Sequence, residues 1–282
     1  MHICIMFLYL QPRGGLNDIL VVITMAIEYC TKYNRILLLD GLQSTYKVDF
    51  SKYFTIPNKK VICDRNKILE IFNQSHTVYP SNFDGKLMNV VNGECKFPYV
   101  EGLNHLFEGV SVGIPCENRP ESMIISSQCC GGNGYPLFKT LKFTPYVSRL
   151  CKGRYESLKK PYLCIQIRNT DRKCDYQALY NKNKELIHSY SDVYIATDDK
   201  NVLDFFRSVG LSIHNFTSFP EGEYRNLHYC RRIDNDINFT DVLSDIYIIA
   251  MSDKLLSNSV GGFIQLVRAC NNHKEEFIKQ FR

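Results

Sequence analysis

Arg168, Thr170, Asp171, Arg172 and Asp175 crowd together directly behind an apolar run, Tyr162 to Ile167. A fixed cation flanked by carboxylates suits an anionic leaving group and a partner that takes up or gives a proton. Two further polar clusters follow apolar runs in the same half of the chain. One is Thr197-Asp198-Asp199, and the other is Ser257-Asn258-Ser259-Val260-Gly261-Gly262. Small residues and a glycine pair at a helix start leave backbone N–H groups open to a ligand. The positive end of the helix dipole then favours a phosphate. Each cluster also has a plainer reading. The first is a strand followed by a solvated loop, Asp198-Asp199 is a helix cap, and 257–262 is a capped helix that binds nothing.

The elements that would position these residues come from the apolar pattern. Tyr162–Ile167 is short, rich in β-branched residues and preceded by Pro161, which predicts a buried strand. A helix around 176–189, a strand at Val193–Ala196 and a helix at Asn201–Val209 follow. After these come a strand at Leu211–Phe216, a helix over 240–251, a strand at Lys254–Leu256 and a helix from about Gly261. Strands alternating with helices predict a parallel sheet, and ligands bind outside the carboxyl ends of its strands. At the other end, residues 3–10 are the expected first strand. Asn17 or Asp18 caps a helix to about Tyr33, and Arg35 to Leu39 is the next strand, so the turn Gly14-Gly15-Leu16-Asn17 lies inside a βαβ unit. Residues 42–140 predict irregular loops and short helices. A helix opens at Pro145. Lys159-Lys160-Pro161 is the expected crossing between domains at 1–158 and 159–282.

Composition narrows the class. With 282 residues, 45% hydrophobic and 22% charged, the chain is long enough for two globular domains, and nothing points to bulk disorder. The net charge of +5 comes from scattered Lys and Arg, which argues against nucleic acid and is compatible with a small anionic substrate. Twelve Cys supply no C-x-x-C pair. Cys4, Cys30, Cys164 and Cys270 sit in apolar periodic segments, as reduced cysteines do. That predicts a reducing cytosol, where the sequons at Asn73, Asn215 and Asn238 carry no glycan. No stretch approaches about 18 apolar residues, so no transmembrane helix is expected. The apolar start lacks a cleavage-site pattern and is expected to be a strand and not a signal peptide. No oligomeric state follows from the sequence.

Five motifs occur in one order: Gly14-Gly15-Leu16-Asn17, Leu141-Lys-Phe-Thr-Pro145, Ile167-Arg168-Asn-Thr170-Asp171, Ala196-Thr-Asp-Asp199 and Ser257-Asn-Ser259. Together they resemble the α-1,2/α-1,6 and protein-O-fucosyltransferase superfamily of inverting GT-B enzymes. The likeness covers the first 40 residues and most of 140–272. It implies an α/β, GT-B-like fold with two Rossmann-like domains and a cleft between them. Residues 1–158 would face the acceptor and 159–282 would bind a nucleotide sugar. Position by position, the resemblance implies that Arg168 grips the donor's β-phosphate and Asp199 contacts base or ribose, with Thr197 and Asp198 beside it. Ser257, Asn258, Ser259, Val260 and Gly261 would form the diphosphate-binding helix start. Gly14, Gly15 and Asn17 would face the donor from the first domain. Gln166 stands where the family has a His that helps recognise guanine, and Asn169 replaces a basic residue. A UDP-pentose such as UDP-xylose is therefore an alternative to GDP-fucose.

The mechanism these residues allow is a single displacement at the anomeric carbon. Arg168 and the 259–262 helix start would stabilise the departing nucleoside diphosphate, and groups of this kind are worth roughly 3–4 kcal/mol each. Asp175 is the first candidate for the base that takes the acceptor's proton, with Asp171 second. Asp175 can equally be a solvated acid opening a helix. No cofactor or metal is expected. Asp234-Asn235-Asp236 imitates the D-x-D metal site of GT-A enzymes, but it stands in a predicted loop with no matching nucleotide domain. Two competitors come from other classes. Asp40 after the second strand mimics a dinucleotide fingerprint and hence an oxidoreductase, although the full G-x-G-x-x-G is missing. A non-catalytic sugar-nucleotide-binding module would keep Arg168 and need no base.

Overall fold

The computed structural model describes residues 5–100, 104–224, 227, 230 and 232–281, without the side chains of Val100 and Asn104. Cys4 and the start of the expected first strand lie outside these residues. The chain divides into two units, Met1–Lys142 and Phe143–Arg282, each built on a parallel sheet.

In the first unit, β1 (Phe7–Pro12) is buried throughout, the mark of a parallel strand covered on both faces. Helix α1 (Leu16–Lys32) buries Ile19, Leu20, Ile23, Ala26 and Cys30, one stripe of its surface. β2 (Ile36–Leu39) pairs with β1 in the register Tyr9 to Leu38. The sheet is completed by β3 (Val61–Ile62), then α2 (Arg65–Phe72), β4 (Val78–Tyr79) and β5 (Met123–Gln128). Its order is β3-β2-β1-β5-β4, all parallel.

Three expectations change here. The first strand runs on to Pro12, because β5 pairs with it up to Gln128 while β2 stops at Leu10. Proline has no N–H to lose, and an edge position of this kind accommodates it. The cap of α1 is Gly15, and Asn17 and Asp18 stand in the first turn. Within 42–140, where only loops and short helices were expected, β5 is a buried strand beside β1.

The second unit contains α3 (Pro145–Glu156), β6 (Tyr162–Ile167), α4 (Tyr176–His188), β7 (Asp192–Thr197) and α5 (Lys200–Ser208). After these come β8 (Ile213–His214), α6 (Asn235–Met251), β9 (Lys254–Leu256) and α7 (Gly262–Asn272). The strand order is β8-β7-β6-β9, again parallel. The division between units falls after Lys142 and not at the expected 158/159. The reason is α3, which packs on α6: Arg154 pairs with Asp241 at 2.8 Å, and Tyr155 meets Tyr247 edge-on.

Helix α6 begins at Asn235, earlier than the expected 240, because the Asp234 carboxylate accepts from the N–H groups of Asp236 and Ile237. β8 is shorter than 211–216. Beyond His214 the chain bonds to side chains instead: Ser218 N–H donates to Asp241 and the Thr217 hydroxyl to Asp245. Asp245, on the buried face of α6, accepts from the Tyr194 hydroxyl, and burial pushes its carboxyl up to about 7.

Candidate functional site

The order β8-β7-β6-β9 reverses direction between β6 and β9. In open α/β sheets such a switch point is the crevice, outside the strands' carboxyl ends, where ligands bind. Arg168 follows β6 at that point, and Ser257–Gly261 follow β9. The register Ile165 to Leu256 sets Gln166 beside Ser257, and the Ser257 hydroxyl donates to Gln166 Oε1 at 2.8 Å. Ser257 Oγ in turn accepts from Ser259 N–H, and the Ser259 hydroxyl accepts from the main-chain N–H of Arg168 at 2.8 Å. The two loops are thus stitched together.

The guanidinium of Arg168 lies over the start of α7. Its N-cap, Gly261, has φ +118°, and a Cβ there would stand 3.2 Å from Arg168 Nη1. A side chain would be strained by that backbone and would crowd the arginine, so glycine lets the cation and the helix N-terminus share one spot. A cation and a helix dipole so placed can act on one anion. Val260 beside them is 64% exposed.

The β7 cluster supports the Arg168 loop. Asp198 accepts from Asn169 N–H at 2.7 Å and from the Thr170 hydroxyl at 2.6 Å. Burial raises its pKa, against the pull of these hydrogen bonds and of Arg168. Asp199 caps α5 through Asn201 N–H and accepts from Asn169 Nδ2 at 2.8 Å. The hydroxyl of Thr197 accepts from Asp199 N–H. Asn169 and Thr170, not named among the candidate site residues, therefore tie the Arg168 loop to the β7 cluster, while Gln166 and the Arg168 N–H tie it to Ser257 and Ser259. Both stand in the Ile167–Asp171 motif of the sequence, which gave them no role of their own.

The two candidate bases differ. Asp175 is the N-cap of α4, accepting from Ala178 N–H at 2.8 Å, and its carbonyl receives Asn258 Nδ2 at 2.7 Å. Asp175 is exposed. Asp171 forks with Arg168, taking Nε at 2.8 Å and Nη2 at 2.5 Å.

In the first unit the sheet reverses between β1 and β5, and the glycine turn lies there. Gly14 has φ +93°, and a Cβ on it would meet Cys129 Sγ at 2.7 Å. Its N–H donates to the Thr45 hydroxyl. Asn17 is buried, donating to Gly132 O and accepting from Gly134 N–H, both at 3.0 Å. Its amide therefore holds the 131–134 loop and is not turned toward a ligand. Arg13, absent from the predicted site, reaches across the switch point, with Nε donating to Ser127 Oγ and Nη2 to Gln11 Oε1.

Two imitation motifs acquire structural roles. Asp40 is 2% exposed and accepts from the Tyr9 hydroxyl and from Arg65 Nη1, both at 2.6 Å. An acid enclosed in this way cannot present itself to a ribose, which removes the basis of the oxidoreductase reading. Asp234 is a helix cap, as described. Among the described residues, no three His, Cys, Asp or Glu side chains are grouped so as to hold a metal ion. The eleven described cysteines are free, and among the described residues no helix is long and apolar enough to cross a membrane.

No family model and no curated protein matches the chain. Among solved structures, the fold is similar to NodZ alpha-1,6-fucosyltransferase co-crystallised with GDP. The TM-score is 0.61 at 17% identity, covering 94% of this chain and 92% of that one. Fucosyltransferase NodZ from Bradyrhizobium gives 0.59 at 16% identity, over 94% and 93%. POFUT1 in complex with GDP-fucose gives 0.55 at 12%, over 95% and 94%. The likeness is one of fold: the chain is an α/β protein of GT-B type with two Rossmann-like units, the architecture of these fucosyltransferases.

Proposed function

We propose that the protein is an inverting glycosyltransferase that moves a sugar from a nucleoside diphosphate to a hydroxyl of a glycan. The observation that carries this reading is the meeting of Arg168 Nη1 with Gly261 at the N-terminus of α7, at the switch point of the second sheet. Few arrangements concentrate positive potential so well on a diphosphate. As the acceptor oxygen bonds to the anomeric carbon, the bond from that carbon to the diphosphate oxygen breaks and its electron pair leaves with the diphosphate. Arg168 and the first N–H groups of α7 offset the charge that develops. Asp175 takes the acceptor's proton, and Asp171 is the second candidate for that step. Gly14 and Gly15 are proposed donor contacts of the first unit, with Asn17 fixing the loop beside them.

GDP-fucose is the first donor to test, because structures of similar fold include NodZ with GDP and POFUT1 with GDP-fucose. A UDP-sugar is the second. Gln166 is 4% exposed and its Oε1 is held by Ser257, so a buried carboxamide and not an imidazole stands at the end of β6. We place the reaction in a reducing cytosol, in keeping with the buried thiols Cys30, Cys151, Cys164 and Cys270.

The test is release of GDP or UDP from GDP-fucose, UDP-xylose or UDP-glucose in the presence of oligosaccharide acceptors. Turnover that persists in EDTA and is lost in Arg168→Ala is the expected result. Donor binding without release in any mixture would favour a binding module, and binding of no nucleotide would remove the enzyme reading.

A further inference from the structure

Asp171 holds Arg168 in the two-point grip that a phosphate group would take. Nε and Nη2 of the guanidinium face the two carboxylate oxygens at 2.8 and 2.5 Å, while Nη1 lies on the other side, against Gly261. The planar fork of arginine fits carboxylate and phosphate alike, so both anions compete for the same two N–H groups. The pair is local, three residues apart, and the turn between them is pinned by Asn169 N–H and the Thr170 hydroxyl on Asp198. Arg168 and Asp171 side chains are 24% and 26% exposed, which leaves room for an incoming anion.

We propose that Asp171 is an internal counter-ion standing in the donor's place, and that the diphosphate enters by exchanging with it for the fork of Arg168. This rests on the reading of the crevice as a diphosphate site. Without a diphosphate bound, the carboxylate would keep the cation paired and the guanidinium oriented over α7. A diphosphate carries more charge than a carboxylate and also reaches the N–H groups of the helix start, so it wins the exchange. A singly charged anion gains too little and is excluded. Asp171 therefore lowers affinity for every ligand of the crevice in return for selectivity toward diphosphates.

The sign of one substitution separates this role from a merely positioning one. Affinities for GDP, UDP and inorganic pyrophosphate are measured calorimetrically on wild type, Asp171→Asn and Asp171→Ser, with thermal unfolding as a check on folding. The exchange predicts tighter binding in both variants, by about two- to fivefold, the weight of a partly exposed ion pair. In an Arg168→Lys background, where charge remains but the fork is gone, the same substitution should gain less. Weaker or unchanged binding of pyrophosphate and nucleotide in the Asp171 variants would overturn the exchange and leave the proposed function standing. An equal gain in the lysine background would also overturn it, since the carboxylate would then act as bulk charge. A gain for pyrophosphate with no nucleotide bound by any variant would keep the exchange and overturn the sugar-nucleotide reading. Binding of none of the three by any variant would overturn both.

Discussion

A side chain at Gly261 would begin 3.2 Å from Nη1 of Arg168, so the arginine and the helix start are fitted to each other only while position 261 has no Cβ. Gly261→Ala should cost roughly 1–3 kcal/mol of stability, because φ +118° is strained for any L side chain. It should also weaken GDP or UDP binding severalfold by shifting the guanidinium. Thermal unfolding and calorimetric titration measure the two effects separately. A stability loss with unchanged affinity would mean that the contact is structural only.

Asp175 combines a helix cap with the proposed proton acceptor, and two substitutions pull these apart. Asparagine caps almost as well as aspartate, while alanine does not. Asp175→Asn should keep the unfolding midpoint and lower turnover by about 100-fold or more. Asp175→Ala should lose turnover and about 1 kcal/mol of stability as well. Retained turnover in Asp175→Asn would transfer the base to another carboxylate.

Asp245 supplies a pH prediction. Burial raises its folded-state pKa to about 7, far above the value in an unfolded chain. Between these two values the folded protein holds a proton that the unfolded chain has released. Its stabilising contribution is therefore complete below the unfolded pKa and is lost as pH rises through about 7, at up to about 1.4 kcal/mol per unit. The groups facing it are the hydroxyls of Tyr194 and Thr217, with Asp241 and Arg154 close by. Asp245→Asn, which stays neutral, should flatten this slope in denaturant unfolding between pH 5 and pH 8. An unchanged slope would contradict the assignment.

Metal removal gives a fourth prediction. Arg168 and the helix start supply the positive potential that the leaving diphosphate requires, so turnover should survive chelation and gain little from added Mn²⁺. A loss of more than about tenfold in EDTA, restored by Mn²⁺, would contradict it.

The second unit was largely legible because buried parallel strands read as unbroken apolar runs. Tyr162–Ile167 and Val193–Ala196 each end in a polar burst at the edge where ligands bind. β5 was not legible. Half of it is Ser126, Ser127 and Gln128, all buried, and Ser127 is explained only by Arg13, a partner 114 residues away. Asn17 misled for the same reason, since its partners Gly132 and Gly134 are distant in sequence and close in space. Asp40 had the right position for a ribose contact, and only the fold reveals Tyr9 and Arg65 closed around it. The motif order disclosed the fold, whereas the bonds among Asn169, Thr170, Asp198 and Asp199 required coordinates.

The most direct test of the central claim is a thermal-shift panel of GDP, UDP, GDP-fucose, UDP-xylose, UDP-glucose and NAD on wild type and Arg168→Ala. Stabilisation by at least one nucleoside diphosphate or its sugar, absent with NAD and lost in the variant, is the result predicted. A guanine ligand would identify a GDP-sugar donor, and a uridine ligand would show that Gln166 accompanies a different base. No shift with any nucleotide, or an equal shift in Arg168→Ala, would contradict the account.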